Sequence, residues 1–103
     1  MMVYAYIQDV PVTEAQYRRI TESLGPDPLE GLLMHLCVRR DDGGLRYIDV
    51  WESIDSCARA FDNRIHAAVD EAFSGTRPSL EPEMKTLEVL DIRGTLISGT
   101  TAN

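Results

Sequence analysis

The chain has 103 residues, 44% of them hydrophobic, with 17 acidic against 10 basic side chains and a formal net charge of -7. That size and apolar fraction fit one folded domain and exclude a disordered chain. The acidic balance excludes a phosphate-tracking nucleic-acid binder and a binder of anionic membranes, both of which need a basic face.

Two cysteines, Cys37 and Cys57, are too few for a disulfide scaffold or a zinc site. Both lie in apolar patterns, which fits buried thiols in a reducing compartment. There is no leader pattern and no apolar run of membrane-spanning length, so the expectation is a cytoplasmic protein. No metal motif, phosphate loop, dinucleotide fingerprint or nucleophile elbow is present.

Met2 to Gln8 reads as the first strand, ended by Asp9-Val10-Pro11 because proline cannot donate to a central ladder. Thr13 to Leu24 reads as a helix. Thr13 caps it, Gln16 is the return partner of a capping box, and Tyr17, Ile20 and Leu24 form its buried stripe. Gly25-Pro26 stops it.

The stretch Gly31 to Ser53 then carries a hairpin. Leu32 to Val38 is an apolar run interrupted by His35, Asp41-Asp42-Gly43-Gly44 is the turn, and Leu45 to Trp51 returns. Ser53 caps a second helix to about Phe73, whose buried face is Cys57, Phe61, Ile65, Ala68, Val69, Ala72 and Phe73. Gly75 and Pro78 close it. Met84 to Arg93 alternates as the last strand, and Gly94 to Asn103 forms a partly flexible tail beyond a domain spanning 1–93.

The order β-α-β-β-α-β predicts a ferredoxin-like α+β fold, with a four-stranded antiparallel sheet and both helices on one face. Alternation divides the strands. Val3, Ala5, Ile7, Leu32, Met34, Leu36, Val38, Ile48, Val50, Leu87 and Val89 share the more aliphatic face, which is assigned to the helices. Tyr4, Tyr6, Gln8, Leu33, His35, Cys37, Arg39, Tyr47, Asp49, Trp51, Met84, Thr86, Glu88 and Leu90 share the other.

The second face is too aromatic to stay bare, so a second copy is expected to cover it, in a homodimer through the sheet face. The two faces match across the hairpin only with an odd loop, such as three residues with Gly in the left-handed bulge position. His35 then lies opposite Asp49 or Trp51.

These elements, together with Gly31-Leu32-Leu33-Met34-His35, Asp42-Gly43-Gly44 and Asp49-Val50-Trp51-Glu52-Ser53, resemble the dimeric α+β barrel superfamily of antibiotic-biosynthesis monooxygenase-like small proteins. The resemblance covers roughly the first ninety residues. It implies a dimer whose sheets close a barrel. It also implies, for catalytic members, oxidation of electron-rich aromatic polyketides without metal or flavin, the ligand lying between sheet and helices.

Such members position the ligand with Asn, Trp and Tyr. Here Trp51, Tyr47, Tyr4 and Tyr6 supply the aromatic wall, while no Asn lies on any strand. Haem-degrading members use a first-strand Asn and a helix-two His. The first strand here ends in Gln8 and His66 falls too early in its helix, so no haem and no other cofactor is expected.

Two functional readings follow. In the first, the chain is a small-molecule enzyme, a cofactor-independent monooxygenase or cyclase for a hydrophobic, aromatic or polyketide-like substrate. His35 is the base, Asp49 its orienting partner, and Tyr4, Tyr6, Tyr47 and Trp51 the binding wall. In the second, the chain is a non-catalytic dimer that binds a small ligand or is purely structural. His35 and Asp49 are then a buried pair, and the aromatic residues are packing.

Overall fold

The first strand, β1 (Tyr4–Val10), outruns the sequence expectation by two residues because Asp9 and Val10 still pair, with Arg46 and Leu45. The computed structural model describes residues 3–74 and 83–93. The expected tail, 94–103, lies outside them.

Helix α1 (Glu14–Leu24) opens on the expected capping box. Gln16 N–H donates to Thr13 Oγ1 at 3.2 Å, and Thr13 N–H donates to Gln16 Oε1 at 2.8 Å. Strands β2 (Leu32–Arg39) and β3 (Leu45–Trp51) form the hairpin. Its loop is the three-residue type: Arg40 N–H bonds Gly44 O, Gly43 N–H bonds Arg40 O, and Gly43 sits at φ +90°. A left-handed residue there is what glycine accepts without strain.

The second helix is broken into three. Ser53 caps α2 (Ile54–Ala60), a π-helical turn spans Phe61–Ile65, and α3 (His66–Ala72) completes it. The last strand, β4 (Met84–Leu87), is shorter than the alternating run. The sheet is antiparallel in the order β2-β3-β1-β4, the ferredoxin-like arrangement.

Alternation correctly groups Tyr6, His35, Tyr47, Asp49 and Trp51 but assigns their face to the wrong side of the sheet. The Tyr6 hydroxyl approaches Cys57 of α2, Trp51 stacks toward Phe61, and Tyr17 of α1 reaches His35 and Tyr47. The aromatic and polar face therefore packs the helices, and His35, Asp49 and Trp51 do not face a second subunit. The physical reason is size complementarity. The helix offers Cys57 and Ala60 at buried positions, and these small residues leave room for Tyr6 and Trp51, the largest fully buried side chains.

The aliphatic set, including Ile7, Met34, Leu36, Val38 and Ile48, points away from the helices. Leu36 is 45% exposed there. Leu32 leaves that set. The β2–β3 register shifts between Leu32 and Met34, so Leu32 pairs with Trp51 and packs on the helix-side cluster. A bulge of one residue reverses the face of everything before it.

Candidate active site

One cross-strand row runs over the middle of the helix-covered face. His35 on β2 is opposite Asp49 on β3, and Asp49 is opposite Tyr6 on β1. Between these two strands' alternatives, the register selects Asp49 rather than Trp51 as the partner of His35. Asp49 is buried, whereas about a third of the His35 side chain, 32%, reaches solvent because β2 is an edge strand.

The Asp49 carboxylate accepts from His35 Nδ1. A carboxylate can only accept, so the bond fixes the proton on Nδ1 and leaves the Nε2 lone pair as the other pole of the ring. The Tyr17 hydroxyl lies 2.8 Å from Nε2 and is its donor when the ring is neutral. With a neutral imidazole the result is a directed chain from α1 to the sheet: Tyr17 O–H to His35, His35 N–H to Asp49.

Aromatic rings line this chain. Tyr47 meets the imidazole edge-on at 5.2 Å between centroids, and Tyr17 lies 5.6 Å from Tyr47. On the α2 side, Trp51 Nε1–H donates to the Tyr6 hydroxyl at 3.2 Å, and Tyr4 leans on Tyr6 at 5.4 Å. Tyr6, Trp51, Cys57 and Ala60 form the buried cluster, with Tyr4, Leu29, Leu32, Phe61 and Ile65 packed around it.

This environment suppresses phenolate and thiolate. Burial pushes the Tyr6 phenol far above its usual 10, and the Asp49 charge adds to it, against the opposing Trp51 hydrogen bond. Tyr47 is also raised strongly, by burial and then by Cys37 and its neighbours. Burial raises Tyr17 and Cys37 as well. At neutral pH burial keeps these groups in their neutral forms, as hydrogen-bond donors and apolar walls. The two cysteines are free, Cys57 buried and Cys37 half-buried.

All six residues singled out from the sequence thus lie on one side of the sheet. His35 and Asp49 are in contact, Tyr47 touches His35, and Tyr6, Trp51 and Tyr4 continue the wall. Tyr17 was missed as a site residue. In the sequence it is one member of a buried helical stripe, and only the docking of α1 over β2 gives its hydroxyl a partner. His66 stands beside Phe61, with centroids 5.6 Å apart.

An open cleft of about 720 Å³ lies elsewhere, between Arg19, Glu22 and Ser23 of α1 and Glu71 to Ser74. Among the described residues no group of His, Cys, Asp and Glu has the arrangement of a metal site, and no helix is long and apolar enough to cross a membrane.

No family model matches the sequence, and no curated protein matches it. Solved structures do. A candidate antibiotic-biosynthesis monooxygenase from Caulobacter crescentus is 15% identical over 87% of this chain and 92% of that one, with a TM-score of 0.61. A second, from Chloroflexus aurantiacus, is 16% identical over 89% and 97%, with a TM-score of 0.60. SnoaB, a cofactor-independent oxygenase from Streptomyces nogalater, is 17% identical over 87% and 93%, with a TM-score of 0.53. The chain has the ferredoxin-like fold of the antibiotic-biosynthesis monooxygenase-like proteins.

Proposed function

We propose that the protein is a small-molecule enzyme that acts, without a cofactor, on an electron-rich aromatic or polyketide-like phenol. The hydrogen-bonded chain Tyr17–His35–Asp49 on the helix side of the sheet carries this reading. A base needs an accepting atom aimed at the substrate and a partner that stabilises the cation it becomes. His35 Nε2 and Asp49 meet those needs.

The substrate hydroxyl gives its proton to Nε2, through the Tyr17 oxygen or in its place. The resulting phenolate reacts with dioxygen in an oxygenase or with its own side chain in a cyclase. Tyr47, Tyr6, Tyr4 and Trp51 supply the aromatic wall. SnoaB, a cofactor-independent oxygenase, shares the fold and supports the reaction class.

The working unit in this reading is a homodimer. A second copy covers the aliphatic face that carries Ile7, Met34, Leu36, Val38 and Ile48, since a patch of that kind is seldom left to water.

The test is oxygen uptake and product analysis with a panel of hydroxylated tricyclic aromatics. The reading expects turnover by the wild type and a loss of at least about a hundredfold in His35→Ala. Equal rates in the two proteins, for a substrate that is turned over, would refute it. The non-catalytic reading keeps one observation in its favour: Tyr6 and Trp51 are fully buried against Cys57 and Ala60, so protein side chains fill that part of the layer. Binding of panel members without turnover would select it.

A further inference from the structure

The segment between α1 and β2 covers the same aromatic layer, and its construction differs from that of an ordinary connecting loop. It begins at Gly25, φ +83°, and ends at Gly31, φ +84°. Both are backbone states in which only glycine is comfortable, so the segment is bounded by two permissive joints. Between them Leu29 turns inward and packs on the buried cluster of Tyr6, Trp51, Cys57 and Ala60.

Few bonds tie the segment to the sheet: Leu32 N–H to Leu29 O at 3.1 Å within the turn, and Glu52 N–H to Gly31 O at 2.7 Å at its end. Gly25 N–H bonds Thr21 O at 3.1 Å, and Arg59 of α2 makes a long, exposed ion pair with Glu30 at 3.9 Å. The closest side-chain ties come from Arg64. Arg64 Nη1 donates to Pro28 O at 2.8 Å, and its Nη2 donates to Leu24 O and Asp27 O at 3.0 Å each.

Arg64 stands in the π-helical turn, between Phe61 and Ile65, which pack on the same cluster that Leu29 covers. A π turn breaks the regular helical bonding, and such turns recur at functional sites. The guanidinium fork reaches three carbonyls from two nitrogens held apart in one plane, a spread that a compact ammonium does not have. Arg64 therefore makes the closest side-chain bonds that hold the segment down, and the helix that carries it also forms a wall of the layer.

We propose that residues 25–31 are a gate over the aromatic layer, with Leu29 as the plug, Arg64 as the latch and a planar aromatic phenol as the ligand that takes the place of Leu29. This rests on the reading above that the layer binds aromatic ligands, and it accounts for how a layer filled by protein side chains admits one. The filled state is the closed gate, and the binding-competent state has Leu29 withdrawn. Arg64 is a positioning residue and touches no ligand.

Trp51 is the single tryptophan of the chain and belongs to the cluster under the gate, so it reports directly on opening. In the wild type, acrylamide should quench Trp51 fluorescence weakly. Arg64→Gln should raise the quenching constant at least about threefold while the urea transition stays cooperative. Arg64→Lys should fall between the two.

Leu29→Ala should bind 1-naphthol at least about tenfold more tightly than the wild type, because less of the population must open first. Should Arg64→Gln fail to fold, hydrogen exchange of the wild type remains decisive. The Leu32 amide should exchange by a local opening at least about tenfold faster than the amides of β1 and β3.

Exchange of residues 25–32 together with the core strands would overturn the gate. So would unchanged quenching in Arg64→Gln, or equal naphthol affinity in the wild type and Leu29→Ala. Absence of naphthol binding in all forms would overturn the aromatic-ligand reading, and the proposed ligand with it. Turnover of an aromatic phenol that Leu29→Ala and Arg64→Gln leave untouched would overturn the gate and spare the enzyme.

Discussion

His35 on β2 and Asp49 on β3 are directly opposed in the antiparallel ladder, and the imidazole Nδ1 is bonded to a carboxylate that solvent barely reaches. Removing the imidazole strands a buried charge rather than merely deleting a contact. His35→Ala is therefore expected to lower folding stability by about 1–3 kcal/mol. Asp49→Asn, which leaves no charge behind, should cost less. Urea denaturation of the two variants checks the order, and a cost for His35→Ala no greater than that of an exposed surface substitution would contradict it.

The alkaline limb follows from the tyrosines. All four, Tyr4, Tyr6, Tyr17 and Tyr47, have phenols raised above 10, with burial as the leading cause in each. In the unfolded chain they ionise near 10, so above that pH the unfolded state binds fewer protons than the folded one. Stability contributed by the buried neutral phenols is complete below pH 10 and falls as pH rises beyond it. Ultraviolet difference spectroscopy should show little phenolate in the folded protein at pH 10, with ionisation and loss of secondary structure proceeding together at higher pH. Half-ionised tyrosines in a folded protein at pH 10 would disagree.

The face turned away from the helices yields a separate expectation. Leu36 is 45% exposed on an edge strand within an aliphatic surface. If a second copy covers it, sedimentation should find a dimer, and Leu36→Glu should give a folded monomer. The site side chains lie on the opposite face, so His35 resonances should change little in that monomer. A wild-type protein that is monomeric at high micromolar concentration would exclude this assembly.

How much of this is visible in a sequence depends on what alternation encodes. The period of two correctly grouped Tyr6, His35, Tyr47, Asp49 and Trp51, and the Asp-Gly-rich turn with its odd loop put His35 beside Asp49. The capping residues Thr13 and Ser53 were equally legible, because a cap is local chemistry. Alternation is silent on which side of the sheet the helices take. Hydrophobicity suggested the aliphatic side, but the small residues Cys57 and Ala60 made a bed for large aromatic rings instead. The bulge that moves Leu32 across the sheet leaves no local signal. Tyr17 gained its role only from the docking of α1, and the π turn that carries Arg64 is written in no simple periodicity.

The two glycines of the α1–β2 segment should differ in their tolerance of a side chain. Gly25→Ala meets nothing within 4 Å and suffers backbone strain alone, expected to cost about 1–3 kcal/mol. A Cβ on Gly31 would lie 2.4 Å from Ser56 Cβ at the start of α2. Gly31→Ala should therefore be the more destabilising in thermal unfolding, because the Ser53–Ser56 cap must shift as well. Equal losses would mean that the close approach relaxes freely.

In the proposed site Asp49 holds His35 as a base with its accepting nitrogen toward Tyr17. The ¹⁵N shifts of the His35 ring report this without a substrate. At neutral pH Nδ1 should be protonated and Nε2 unprotonated, with that preference lost in Asp49→Asn. A proton on Nε2 at that pH, in either the other tautomer or a doubly protonated ring, would contradict it.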